Sequence, residues 1–291
     1  MRLLLTGANG QVGREITLAA TDYGFTLLPM SRLDLDIGSR ESVLSCISRL
    51  EPQVVINAAA FTDVDGAESE PELALASNQK GPENLALACS KHSIPLLHIS
   101  TDFVFDGEQQ HPYKESDRVN PLSHYGQSKW LGEQSVRAGI KEHIILRVSW
   151  VFGRFGRNFF SAVPKWVREK MEMQVVADQV GGPTPAQDIA QALLVIASRA
   201  VKDKNSFPWG TYHFAGQPAV SRFEYTQFIV ERLKEQGVKT VETLKPVPAS
   251  VYPMPAMRPA YSALDSTLLE KTFGIKAPTW QKAAIELLAV E

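Results

Sequence analysis

Tyr125 and Lys129 stand four positions apart in a helical pattern, so their side chains share one face of the helix about one turn apart. A phenol with an ordinary pKa near about 10 is a weak acid at neutral pH, and an ammonium beside it favours the phenolate and lowers that value. The ammonium also has donors to spare for ribose hydroxyls. Of the seven tyrosines, Tyr125 alone has a lysine four residues on. One crossover earlier an apolar run ends in Ser100-Thr101, and a hydroxyl placed there can polarise a carbonyl that Tyr125 protonates. These three side chains form a proton-donating set.

Such a set needs a partner to supply the other half of a reduction, and the N-terminus offers a place to hold one. The run Leu3-Leu4-Leu5-Thr6 empties into Gly7-Ala8-Asn9-Gly10-Gln11-Val12-Gly13, in which glycines recur every third position. Glycine lets the backbone turn tightly and approach a pyrophosphate, while the helix opening near Gln11 aims free N–H groups and its positive dipole end at the phosphates. Strand two ends at Met30 and is followed by Ser31-Arg32. An acidic residue there would grip an adenosine ribose, whereas arginine attracts a 2′-phosphate. The expectation is a preference for NADPH, with Asp36-Ile37 lining the adenine and Asp34 leaving room for NADH.

The elements around these residues alternate. Apolar runs at Leu3–Leu5, Phe25–Met30, Val54–Ile56, Leu96–Ile99 and Ile144–Val148 are separated by amphipathic segments, among them Arg40–Leu50, Pro71–His92 and Ser123–Ala138. This beat predicts an α/β fold with a Rossmann-type, doubly wound parallel sheet covered by helices on both faces and with ligands at the carboxyl ends of its strands. From residue 151 glycine and proline rise and the beat breaks. Helices are expected at Ala186–Ser198, Ser221–Gln236, Ser266–Phe273 and Pro278–Leu288, a strand at Thr211–Phe214, and an irregular loop at Lys245–Pro259. The division read from this is a dinucleotide-binding domain at 1–150, to which late elements near 172–215 return, and an interleaved substrate-binding lobe at 151–291.

Composition narrows the class. The 291 residues are 44% hydrophobic, with 30 basic against 32 acidic side chains, and no basic stripe is interleaved with aromatics, so nucleic acid is not an expected partner. No apolar stretch approaches the roughly 20 residues of a membrane span, and the start reads as a strand without a leader pattern, which gives a cytoplasmic expectation. Cys46 and Cys89 are expected as buried reduced thiols, and no His/Cys cluster has zinc spacing. His98, His143 and His213 fall in apolar strands and are expected as core or strand-end residues, and Asp102 and Asp106 as turn formers that also orient the site.

Six motifs, in order, then resemble the dTDP-4-dehydrorhamnose reductase family of the extended short-chain dehydrogenase/reductases. They are the glycine turn, Asn57-Ala58-Ala59-Ala60-Phe61-Thr62-Asp63-Val64-Asp65, Ser100 through Gly107, Tyr125-Gly126-Gln127-Ser128-Lys129, Arg147 through Gly153, and Arg258-Pro259 with Ser262 and Leu264. The resemblance spans nearly the whole chain. It implies NADPH-dependent reduction of the C4 ketone of dTDP-4-dehydro-L-rhamnose to dTDP-L-rhamnose, with a nucleotide sugar as substrate. It implies Thr101, Tyr125 and Lys129 as catalytic. For the cofactor it implies Gly7, Asn9, Gly10, Gln11, Val12 and Gly13, with Ala58, Ala59 and Ala60, and for the substrate Thr62, Val64, Asp102, Phe103, Trp150, Asn158 and Arg258. Phe103 departs from the tyrosine usual in the family and removes one hydroxyl. Arg258 is the residue expected to neutralise the substrate diphosphate. Some relatives form a magnesium-bridged dimer through glutamates; Glu15 matches one, but Gln187 stands where another would fall. An amide is the weaker ligand for a hard cation, so no metal requirement is expected, and a homodimer stays open. Two other readings share parts of the pattern: a nucleotide-sugar epimerase or dehydratase, and a non-catalytic subunit of the kind that regulates methionine adenosyltransferase.

Overall fold

In the computed structural model, which describes residues 1–203 and 206–289, the first half builds one face of a cleft from alternating strands and helices. In chain order these are β1 (Arg2–Thr6), α1 (Gln11–Ala19), β2 (Thr26–Met30), α2 (Arg40–Leu50), β3 (Val54–Asn57), α3 (Gly66–Ser69), α4 (Pro71–Leu75), α5 (Gly81–Lys91), β4 (Leu96–Thr101), α6 (His124–Gly139) and β5 (His143–Val148). There follow β6 (Val151–Phe152), α7 (Phe159–Glu169), β7 (Glu172–Val176), β8 (Val180–Gly181), β9 (Thr184–Pro185), α8 (Ala186–Lys202), β10 (Gly210–Phe214), β11 (Val220–Ser221), α9 (Arg222–Glu235), β12 (Thr243–Val247), α10 (Thr267–Phe273) and α11 (Trp280–Leu288).

Six strands form a parallel sheet in the order β10-β5-β4-β3-β1-β2. The winding reverses between β1 and β3, which is where an open α/β sheet opens its ligand crevice. Side-chain alternation along the buried strands explains the two covering layers. Leu3, Leu5, Val54, Ile56, Ile144 and Leu146 face α1 and α8, while Leu4, Val55, Leu96 and Ile145 face α2, α5 and α6. A third apolar cluster is separate: Phe152, Phe160, Val163, Tyr225, Ile229, Leu233 and Trp280 pack α7, α9 and α11 together.

Of the late elements, β10 pairs with β5 at the edge of the main sheet, as the sequence suggested. Residues 172–176 do not return to it. They form β7, which pairs in parallel with β12, so the first part of the segment expected as an irregular loop at Lys245–Pro259 is a strand. Pro246 is tolerated there because a two-stranded sheet is all edge and a missing N–H can face outward. Helix α7 carries Pro164 in its interior and follows two glycines, which hides it in the sequence; an Asn158/Ser161 capping box and the apolar face of Phe160, Val163 and Val167 sustain it. The expected Pro71–His92 helix is interrupted by a π turn at residues 76–80.

Candidate active site

The glycine turn closes against the loop after β3. Gly7 has φ +69°, and a Cβ built on it would lie 2.5 Å from the backbone of Ala58 and Ala59. A Cβ on Gly13 would meet the Gly7 carbonyl and the Ala8 backbone, so Gly7 and Gly13 exist to let three backbone segments touch. Gly10 differs. Its only close neighbour would be the Gly7 carbonyl at 3.3 Å, it is exposed, and it starts α1 with no side chain capping the helix. The first-turn N–H groups of α1 therefore keep the anion-binding capacity that a pyrophosphate uses, and Gln11, Val12 and Gly13 lie in that turn while Asn9 is exposed beside it.

Asn57 holds the reversal point together. Its Oδ1 accepts from the Thr6 hydroxyl at 2.6 Å and from the Ala59 N–H at 3.1 Å, and its amide bonds His98 Nδ1 at 2.9 Å. Asn78 in the π turn accepts from Phe61 N–H and donates to the Phe61 carbonyl and the Ser128 hydroxyl, tying the loop at Phe61, which follows Ala58, Ala59 and Ala60, to α6. Sequence marked Asn57 within a motif without giving it a role, and did not mark Asn78. A π turn leaves no periodic signal, whereas Asn57, a polar residue ending an apolar run, was visible.

Helix α6 can reach the end of β4 because Gly126 has no side chain: a Cβ there would meet the Phe103 carbonyl. Ser123 caps the helix by accepting from Gly126 N–H. Tyr125 thereby comes close enough to Thr101 for that hydroxyl to act on its phenol, with the Phe103 ring edge-on to Tyr125 at 5.7 Å. Lys129, 3% exposed, donates from Nζ to the Ile99 carbonyl at 2.6 Å. The structure thus brings Thr101, Tyr125 and Lys129 together at the carboxyl end of β4.

One electrostatic expectation is corrected. Burial pushes the Tyr125 phenol up to about 12, with the Thr101 hydrogen bond acting downward and Asp102 upward. Lys129 does not lower it, because its ammonium is turned to the Ile99 carbonyl. Burial in turn lowers Lys129 to about 8, and Glu133 one turn away acts against that fall. At neutral pH the phenol holds its proton and the amine its charge.

Asp102, 2% exposed, accepts from Ser262 at 2.6 Å, Ser149 at 2.9 Å and Thr101 at 3.1 Å, yet burial still raises its carboxyl above the usual range. It joins the end of β4 to the segments that carry Trp150 and Tyr261. Trp150 has φ +42°, a left-handed backbone rarely kept by a bulky residue, and its ring edge lies against Gly181. Thr62 is exposed and Val64 half-buried on the loop after β3.

Two expected substrate residues are engaged elsewhere. Arg258 forks Asp65 at 2.7 and 3.2 Å, and Asp65 also accepts from Ala256 N–H, so this arginine's charge is matched within the protein. The Arg258 hydrogen bond holds the Asp65 carboxyl below its ordinary value. Asn158 is the cap of α7, and its amide donates to Gln11 Oε1 at 2.9 Å and to the Gly153 carbonyl at 3.1 Å. At the adenine end, Ile37 is buried against Gly81, Asp36 accepts from Gly38 N–H, and one Asp34 oxygen accepts from both the Ser31 N–H and hydroxyl. Arg32 is exposed.

Glu15, 4% exposed, gives both carboxylate oxygens to Arg154 at 2.7 and 3.0 Å, and Gln187 is exposed. A carboxylate already forked by a guanidinium, paired with an amide, does not suit a hard divalent cation. Among the described residues no helix is long and apolar enough to cross a membrane. Cys46 and Cys89 are buried free thiols, both raised by burial.

The family model described as RmlD substrate binding domain matches residues 1–291. The dTDP-4-dehydrorhamnose reductase of Aggregatibacter actinomycetemcomitans is 40% identical over 97% of this chain and 96% of its own length. A dTDP-4-dehydrorhamnose reductase crystal structure from Clostridium acetobutylicum superposes with a TM-score of 0.91 at 36% identity, covering 100% of this chain and 99% of that one. The Bacillus anthracis dTDP-4-dehydrorhamnose reductase in complex with NADP gives 0.89 at 31% identity over 100% and 99% of the two chains.

Proposed function

The chain belongs to the dTDP-4-dehydrorhamnose reductase family and is an NAD(P)-dependent oxidoreductase; from that premise we propose that it reduces the C4 ketone of dTDP-4-dehydro-L-rhamnose to dTDP-L-rhamnose with NADPH, in the cytoplasm. The observation that carries the mechanism is the meeting of Thr101, Tyr125 and Lys129 beside a glycine turn whose capless helix start suits a pyrophosphate. When bound, the reduced nicotinamide supplies a hydride to the carbonyl carbon.

The residues supply the rest. With substrate bound, the Thr101 hydroxyl turns its one proton from Asp102 to the ketone oxygen and stabilises the charge that grows there, and Tyr125 gives that oxygen its proton. A phenol raised by burial enters the reaction fully protonated, which suits the reductive direction. Lys129 stays charged, and its ammonium donors suit the ribose hydroxyls. Asp102, held by three hydroxyls, fixes the Thr101 side chain and orients the sugar with Thr62, Val64, Phe103 and Trp150. Asn158 keeps the α7 end seated on Gln11 over the cofactor turn. Residues 1–150, with α8 and β10 packed on the same sheet, hold the cofactor; most of 151–291 holds the sugar nucleotide.

The preference for NADPH rests on Ser31 and Arg32. The nearby acid, Asp34, has an oxygen turned into the Ser31 turn, and Arg32 is the exposed cation at the end of β2. A 2′-phosphate meets attraction there.

The test is Tyr125→Phe. NADPH binding and the melting temperature should stay near those of the parent, because the ring still packs on Phe103, while kcat for NADPH oxidation with the dTDP-4-keto sugar should fall by about 10²–10⁴-fold. Full activity in this variant would overturn the acid's assignment. A folded parent protein that binds NADPH but never turns over the sugar would overturn the reductase reading itself.

A further inference from the structure

Arg222 opens α9, and its guanidinium lies 3.5 Å from the Trp150 ring centre and 4.8 Å from that of Phe159. Its side chain has no carboxylate partner among the described residues, although it is mostly enclosed and burial lowers it to about 10. An enclosed cation without a counter-charge is costly to keep, and two aromatic faces offset only part of that cost. Stacking occupies the guanidinium's flat face and leaves its in-plane N–H donors free.

The surroundings say what would complete it. Arg222 lies within electrostatic range of both Asp102, at the end of β4, and Arg258. Asp102 is not its mate: Oδ2 is taken by Ser149 and Ser262 and Oδ1 by Thr101. Arg258, the arginine that sequence pointed to, is already matched by Asp65. Of these two arginines, Arg222 is therefore the one without a paired carboxylate among the described residues.

We propose that Arg222 is the residue that binds the diphosphate of the sugar-nucleotide substrate, held flat on Trp150 and Phe159 so that its donors fork the phosphate oxygens. The proposal rests on the substrate class given above. It also gives Trp150 a second task, since the ring that borders the sugar presents the arginine to the phosphate.

Arg222→Met keeps the length and the apolar contact with Trp150 while removing the charge, and Arg222→Lys keeps the charge without the fork. Binding of dTDP to the NADPH-loaded protein is read by calorimetry, with thymidine as the probe that lacks phosphate. The expected result is a dTDP Kd raised about 10- to 100-fold in the methionine variant, less in the lysine variant, with thymidine and NADPH affinities unchanged and a weaker salt dependence of dTDP binding. Equal dTDP affinity in parent and methionine variant, both folded, overturns the proposal, as does a loss shared equally by thymidine or by NADPH, which marks a merely structural arginine. A parent protein that fails to bind dTDP overturns it as well. If the dTDP loss appears as expected while the dTDP-4-keto sugar is not reduced, the reaction assignment fails and the diphosphate site stands.

Discussion

The three glycines of the N-terminal turn should separate under alanine substitution into two that hold the fold and one that holds the ligand. Gly7→Ala forces a Cβ residue into φ +69°, at roughly 1–2 kcal/mol, and places the Cβ 2.5 Å from the backbone of Ala58 and Ala59, a clash that rigid backbone relieves only at about 1–3 kcal/mol more. The sum of about 2–5 kcal/mol is a large share of the roughly 5–15 kcal/mol that keeps a protein folded, and should lower the melting temperature by roughly 4–20 °C. Gly13→Ala should behave at least as badly, since its Cβ meets the Gly7 carbonyl. Gly10→Ala meets no such obstacle: its backbone is extended at φ −74° and ψ 172°, and the nearest atom is 3.3 Å away. It should cost at most about 1 kcal/mol of stability as a poorer helix cap, yet its methyl group stands where the pyrophosphate must approach, so the NADPH Kd should rise about tenfold or more. Thermal melts without cofactor and NADPH titration by fluorescence measure the two quantities independently. A Gly10→Ala protein that melts as early as Gly7→Ala, or that binds NADPH with parental affinity, would refute the reasoning.

Other outcomes follow from the same geometry. Because burial lowers Lys129 to about 8, its charge is present below that pH and lost above it, so kcat/KM for NADPH should decline as pH rises through about 8 in a steady-state profile, and Lys129→Met should flatten the limb. Arg32→Ala should raise the KM for NADPH while leaving that for NADH unchanged; equal efficiency with both cofactors before and after the change refutes the assignment of Arg32. The Asp65 carboxyl is held down by Arg258, so the clamp is intact above the ordinary carboxylate pKa of about 4 and is lost as pH falls through the lower folded value; amide exchange at 256–258 should accelerate only in that acid range, and Asp65→Asn should reproduce it at neutral pH. Since Glu15 is forked by Arg154, a chelator should leave activity and oligomeric state untouched, and restoration of either by magnesium after its loss to a chelator would contradict this.

Periodic features of the fold were legible in the sequence. Short continuous apolar runs marked β1, β3, β4 and β5, because strands buried on both faces have no polar alternation to blur them, and the edge strands β2 and β10 were legible beside them. Helix α7 and the β7–β12 pair were not, because Pro164 and Pro246 are signs of breakage in isolation and are tolerated only by a capping box and a free sheet edge. The site shows the same divide. Chemistry encoded by spacing, as in Tyr125 and Lys129, was visible, whereas charge pairing was not: nothing local links Arg258 to Asp65, which are 193 positions apart. That long-range pair is why the arginine suggested by motif is neutralised while Arg222, in no motif, is left unpaired.

Beneath the reacting groups lies a charged network that sequence spacing also could not show. Glu133, 0% exposed, accepts from Arg147 at 2.7 and 2.8 Å, from Arg137 at 2.9 Å and from Ser100 at 2.6 Å. Burial alone would raise this carboxyl, but the arginines outweigh it and hold it ionised. Ser100 precedes Thr101, and Glu133 is one turn beyond Lys129 on α6, so a single carboxylate fixes the end of β4 and supplies the negative charge that offsets the desolvation of the lysine. Breaking one partner of a buried pair costs far more than replacing both with apolar groups gains, which explains how the arrangement persists around a position that must keep a cation charged out of water. Positioning and charge thus come from the same side chain: remove Glu133, and the Lys129 ammonium loses its own support before the fold's apolar core is touched.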